Sequence, residues 1–187
     1  MEVIPFTHLR EWLSTAEADA LLATLEARSD WTQGRIRMFG REVPEPRLTF
    51  FEGDPSVRYT YAHRPLEGRG WSPELEALRD CFEREFGIRT NTVLANLYRD
   101  GRDSMGWHRD HEPELGPDPH VVSLSLGATR DFDVRRDADR WTQRFALGHG
   151  DLMIMGTESQ TKWTHSIPRR LKITNLRLNL TFRYVIC

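Results

Sequence analysis

The chain reads as a mainly β protein with flanking helices, an α+β arrangement, and three observations predict it. Short stretches of alternating apolar and polar residues recur after residue 90, separated by turn residues. Helical periodicity with clear start and stop signals occurs twice, both times before residue 90. No internal repeat, low-complexity segment or linker divides the 187 residues. Many short strands with helices gathered to one side argue for a sandwich or barrel.

The elements follow in order. Ser14 and Glu17 form a capping box, and Ala18, Leu21, Leu22 and Leu25 continue it at helical spacing. Residues 33–44 look like a hairpin whose tip is Met38-Phe39-Gly40, an unusually apolar tip for such a turn. Tyr59 and Tyr61 share one face of an extended stretch, and Tyr59 reads as core. Ser72-Pro73 opens a second helix with a cap and an N1 proline. Its apolar stripe is Leu75, Leu78, Phe82 and Phe86, and Gly87 stops it. Strands are predicted over 92–98, 121–126, 132–135, 143–147, 151–155 and 176–185.

Composition is that of an ordinary globular domain, 39% hydrophobic and 29% charged. No apolar run is long enough to span a membrane, and no signal-peptide pattern follows Met1. Two cysteines, Cys81 and Cys187, supply no disulfide framework. A bacterial cytoplasmic monomer, with no membrane association and no protein partner, is the expectation. The net charge of −2 makes no global case for a polyanionic partner, but arginines cluster locally. Arg35, Arg37, Arg41 and Arg47 form one group, Arg130, Arg135, Arg136 and Arg140 a second, and Arg169, Arg170 and Lys172 a third.

His108-Arg109-Asp110 holds a His-x-Asp pair, and in an extended segment residues two apart point the same way. His165, 55 residues beyond Asp110, is a candidate third ligand. Two histidines and a carboxylate leave open positions on one side of an octahedral ion, as non-haem Fe(II) oxygenases require. His63, His111, His120 and His149 compete, and spacing alone does not choose among them.

The last predicted strand carries more. Leu176, Leu178, Leu180, Phe182 and Tyr184 take one face; Arg177, Asn179, Thr181 and Arg183 take the other. The plain reading is a half-buried strand with its polar side in water. Against it, guanidinium groups on one face suit a dianion. Asn96 and Tyr98 add an amide and a phenol from one face of the 92–98 strand, fit to hold the distal carboxylate of 2-oxoglutarate.

Together these segments resemble the AlkB family of Fe(II)/2-oxoglutarate dioxygenases. Asn96-Leu97-Tyr98, His108-Arg109-Asp110, His165 and the run from Arg177 to Arg183 occur in the family's order; the last is similar to its Arg-x-Asn-x-Thr-Phe-Arg signature. Pro46-Arg47, Tyr59-Thr60-Tyr61, residues 123–127 and Arg130-Asp131-Phe132 extend the likeness over residues 31–184, closest to the DNA-repair branch.

The resemblance implies a double-stranded β-helix (jelly roll) over residues 91–187, with helices and a nucleotide-recognition hairpin in 1–90, as a single domain. It implies Fe(II) on His108, Asp110 and His165, and 2-oxoglutarate held by Arg177, Asn96 and Tyr98 and lined by Asn179, Thr181 and Arg183. With O2, such an enzyme hydroxylates N-alkyl groups on bases such as 1-methyladenine and 3-methylcytosine in DNA, or in RNA. The base would be flipped out against Tyr61, and Met38 and Phe39 would be a wedge entering the stack. The family often has a second acid after the ligating one; here His111 and then Glu112 follow Asp110. Both are candidate base contacts, and the histidine would make base recognition pH-sensitive. The competing readings are an oxygenase of the same fold acting on a protein or small molecule, a binding module without turnover, and a hydrolase using another metal.

Overall fold

Two strands, Thr92–Tyr98 and Arg177–Arg183, pair antiparallel along their whole length, with Arg177 opposite Tyr98 and Arg183 opposite Thr92. Every residue of both is buried. A sheet with one wet face would leave the polar half of the alternation in solvent; here a second sheet covers it. The computed structural model describes residues 4–38, 40–61 and 64–186, with Arg37 and Met38 as backbone alone.

In chain order the elements are β1 (Phe6–Leu9), α1 (Thr15–Glu26), β2 (Arg35–Met38), β3 (Arg41–Pro44), β4 (Leu48–Gly53), β5 (Arg58–Tyr61) and β6 (Arg64–Glu67). Then come α2 (Pro73–Phe86), β7 (Thr92–Tyr98), β8 (Met105–His108), β9 (Val121–Gly127), β10 (Arg130–Arg136) and β11 (Thr142–Leu147). β12 (Leu152–Met155), β13 (Trp163–Ile167) and β14 (Arg177–Arg183) complete the chain. The larger sheet runs β1-β12-β9-β14-β7-β4 and the smaller β11-β10-β13-β8; β2-β3 and β5-β6 are separate hairpins. β7 to β14 thus wind between two sheets, four strands in each, which is the jelly-roll core. β1 and β4 close the larger sheet at its two edges, so two strands from before residue 90 belong to the core sheet.

Both helices cover the outer face of the larger sheet. Leu21 and Leu25 of α1 and Leu75, Leu78 and Phe82 of α2 pack on Val93, Ala95, Leu124, Leu178, Leu180 and Phe182. The capping box forms: Ser14 N–H donates to Glu17 Oε2 (2.9 Å) and Glu17 N–H to Ser14 Oγ (3.4 Å). Gly87 ends α2 in the left-handed region at φ 67°. Ser72 stands at the cap of α2, but its hydroxyl does not cap it; the hydroxyl donates instead to buried Glu52 Oε2 (3.0 Å).

Two details differ from the sequence expectations for physical reasons. β14 stops at Arg183, short of 185, because the Asn91 side-chain amide takes both backbone groups of Val185 (2.8 and 2.7 Å). β8 and β13 are strands that periodicity did not indicate: four and five residues are too short to show it. The expected 33–44 hairpin is present as β2-β3, with Met38 opposite Arg41. Phe39 at its tip lies outside the described residues, so the wedge expectation does too.

Phe82 meets Phe182 edge-to-face at 5.0 Å and is fully buried. Phe82→Ala should therefore cost about 3–5 kcal/mol in urea unfolding. A loss below about 1 kcal/mol would mean that α2 lies outside the cooperative core.

Candidate active site

The two histidines are brought together by strand pairing: His165 of β13 sits opposite His108 of β8. Their rings are 4.2 Å apart, centroid to centroid. Asp110 follows β8 by two residues and is held from outside the strand. Its backbone N–H donates to Gln160 Oε1 (2.8 Å), and Arg183 Nη2 donates to its Oδ1 (2.8 Å). One ligand atom from each of His108, Asp110 and His165 lies within 4.8 Å of the other two, the single such group among the described residues.

The other histidines drop out. His111 and His120 are exposed. His149 Nδ1 accepts from Gly127 N–H (2.9 Å) and its Nε2 faces Asp19 (3.1 Å). His63 lies outside the described residues.

The donor set fits a divalent metal. Asp110 Oδ2 and His165 Nδ1 are buried without hydrogen-bond partners. His165 Nε2 stands 4.0 Å from Asp110 Oδ2, too far for a hydrogen bond. Nor is it an ion pair, because burial, aided by the neighbouring His108, pushes the His165 imidazole down to about 3. Burial also lowers His108. Burial pushes Asp110 up, but Arg183 and the two imidazoles outweigh it and hold the carboxyl at about 2. At neutral pH the site therefore offers one carboxylate and two neutral imidazoles, the protonation state a metal needs. His108 Nδ1 lies 2.9 Å from Gly106 O; donation there leaves the Nε2 lone pair free.

Next to the triad, the inner wall of the larger sheet carries Asn96, Tyr98, Asn179, Thr181 and Arg183. All five line one small cavity, about 40 Å³, together with the triad and Tyr61. A bound dicarboxylate must widen it. Arg177 lies further along the same wall, behind this lining. Its Nη2 donates to Asn179 Oδ1 (2.6 Å) and Ser125 Oγ (2.8 Å), its Nε and Nη1 make no hydrogen bond, and it lies over the Tyr98 ring. Burial lowers this guanidinium to about 10, so it is still charged at neutral pH. The two arginines of β14 therefore have different surroundings: Arg183 is paired with Asp110, whereas Arg177 faces no carboxylate. His111 and Glu112 are not in the cavity lining; Glu112 is half-buried and burial raises its carboxyl.

Sequence reasoning missed Gln160, which carried no motif, and gave Ser123 no role beyond its place in the 123–127 segment of family likeness. Arg47 and Arg130, grouped in the sequence with local arginine clusters and with the segments of family likeness, are both interior residues. Arg47 is 3% exposed and Arg130 1%. Arg130 donates to the carbonyls of Asp100, Asp103 and Pro168, pinning the loops at that end of the sheet.

Residues 5–183 match the 2OG-Fe(II) oxygenase superfamily. A jelly roll with this donor set on its inner wall makes the protein an Fe(II)- and 2-oxoglutarate-dependent dioxygenase, which takes O2 as its third reactant. Human DNA oxidative demethylase ALKBH2 is 37% identical over 182 residues, covering 91% of this chain and 70% of that protein. Rat alpha-ketoglutarate-dependent dioxygenase alkB homolog 3 is 38% identical over 182 residues, covering 90% of this chain and 60% of its own length. The solved structure of OsALKBH1 superposes with a TM-score of 0.64 at 20% identity, over 98% of this chain and 99% of that one, a likeness of fold. The chain belongs to the AlkB family. No helix among the described residues is long and apolar enough to cross a membrane.

Because three deprotonated ligands converge in a folded site, anaerobic Fe(II), or Co(II) as its redox-inert substitute, should raise the melting temperature of the protein. Asp110→Ala should abolish that rise. A shift that survives the substitution would move the metal elsewhere.

Proposed function

We propose that this protein removes N-alkyl groups from bases in DNA by oxidative dealkylation, with Fe(II) on His108, Asp110 and His165. The observation that supports it most is that the triad, the amide and phenol of Asn96 and Tyr98, and the ring of Tyr61 open on one cavity. The relatives named as DNA oxidative demethylases give the substrate class. Bound there, Fe(II) with 2-oxoglutarate and O2 supplies the hydroxylation of the alkyl carbon, leaving succinate, CO2 and a hydroxyalkyl base that releases an aldehyde.

The side chains have separable tasks. Arg177 supplies the uncompensated positive charge and spare N–H groups for the distal carboxylate of 2-oxoglutarate, with Asn96 and Tyr98 beside it. Asn179 and Thr181 form a hydrogen-bonded ladder with Ser123 that keeps Arg177 in place. Arg183 holds Asp110 ionised and oriented, and its Nε remains a spare donor towards the keto-acid end. Tyr61 offers a flat face to a flipped base across from His108, as base-processing enzymes require. Burial pushes the Tyr61 phenol up to about 12, so it stays neutral throughout the working pH range.

The experiment is anaerobic Fe(II) reconstitution followed by O2, 2-oxoglutarate and oligonucleotides carrying 1-methyladenine or 3-methylcytosine, as DNA and RNA, single and double strands. Base composition is read by mass spectrometry. Demethylation of DNA that requires both iron and 2-oxoglutarate is the expected result. Succinate release with every methylated base intact would overturn the substrate class. Arg177→Ala should raise the KM for 2-oxoglutarate about 10- to 100-fold, the loss of one or two hydrogen bonds to a charged group, while iron affinity stays within about twofold.

A further inference from the structure

We propose that Arg47 is a positioning residue for the cosubstrate, acting through the side-chain amide of Asn96. The inference rests on the reading above that Asn96 faces 2-oxoglutarate. Arg47 Nε donates to Asn96 Oδ1 at 2.9 Å, and both side chains are buried. A guanidinium is a donor only, so the atom of Asn96 that faces it must be the carbonyl oxygen. That fixes the amide in one of its two orientations, with Nδ2–H₂ left for other partners. Asn96 lines the cavity, and an NH₂ presented there can donate to a carboxylate, whereas the flipped amide would present a second oxygen and repel it.

The lock is itself held from two further elements. Arg47 Nη2 approaches the Tyr61 hydroxyl at 3.5 Å, and stands 3.4 Å from Glu45 Oε2. Glu45 is fully buried and also accepts from Arg64 of β6 (3.3 and 3.4 Å). Its backbone is tied to the β2 side of the hairpin: its N–H donates to Gly34 O (2.8 Å) and its carbonyl accepts from Gln33 Nε2 (2.8 Å). Packing around this carboxylate is tight; a Cβ on Gly34 would fall 2.3 Å from Arg64 Nη1. One guanidinium thus joins the hairpin region, the strand bearing Tyr61 and the cosubstrate wall. A merely space-filling arginine would not need to put its Nε on the one amide oxygen that decides what the cavity sees.

The test is a double-mutant cycle on 2-oxoglutarate affinity, measured by calorimetry on the Co(II)-loaded protein, with Arg47→Met, Asn96→Ala and the two combined. Asn96→Ala should weaken binding about tenfold, as for one hydrogen bond to a charged group. Arg47→Met should weaken it by a similar factor, and should add less than about twofold on the Asn96→Ala background. Arg47→Lys keeps the charge but not the guanidinium geometry, and is the second variant if Arg47→Met does not fold. It should show the same dependence on Asn96. If Asn96→Ala weakens binding but neither Arg47 variant does, or if their losses multiply, Arg47 does not act through Asn96 and the proposal is overturned. If Asn96→Ala itself leaves the affinity unchanged, the cosubstrate pocket is drawn wrongly and the inference falls with it.

Discussion

Arg183 and Asp110 face each other at 2.8 Å with both side chains almost wholly removed from water. An unpaired charge at either position would cost several kcal/mol, so neither group can sit there without the other. The pair ties the end of β14, in the larger sheet, to the chain just beyond β8, in the smaller one. It also places the carboxylate beside two imidazoles whose removal from water keeps them neutral. Remove the guanidinium and Asp110 would rise towards protonation, since burial alone pushes it that way.

The same constraint divides the space between the sheets into two unlike halves. One is an ordinary core, in which Phe6, Phe132, Val134, Leu147, Met153 and Trp163 pack together. The other is polar, and its groups satisfy one another: Ser123 to Asn179, Asn179 to Thr181, Arg177 to Ser125 and Asn179, Arg47 to Asn96. What they leave over is a short set of orphaned atoms, on Asp110, His165, Arg177 and Arg183. Other unpartnered buried atoms are scattered, as on Thr90, Arg130 and Thr164, but those on Asp110, His165, Arg177 and Arg183 lie in the His108–Asp110–His165 cluster or the wall beside it, and buried polar groups in native proteins are nearly always partnered.

Much of this was legible in the sequence because it was encoded locally. The capping box and Gly87 fixed the helices, and the strict alternation of β14 named the residues on each of its faces. Its plain meaning, a strand wet on one side, was wrong because a second sheet covers the polar face, and local alternation carries no information about that layer. β8 and β13 were not visible: they are short, and their inward positions hold His108 and His165 where an apolar residue would mark a strand. Gln160, which sets Asp110 from 50 residues away, left no local trace. The burial of Arg47 and Arg130 left no local trace either, since charge in a sequence is ordinarily a sign of the surface.

The double-sided burial of β14 has a consequence for how this chain can change over generations. A surface strand has a permissive side, where substitutions accumulate at little cost. β14 has none: seven consecutive residues are buried, either in the helix-covered core or in the polar interior between the sheets. Neutral drift must therefore be borne by exposed segments such as the β2-β3 and β5-β6 hairpins, whose outward residues carry no part of the fold's interior. Sequence is free to diverge there while the interior is held fixed by a strand that has nowhere to vary.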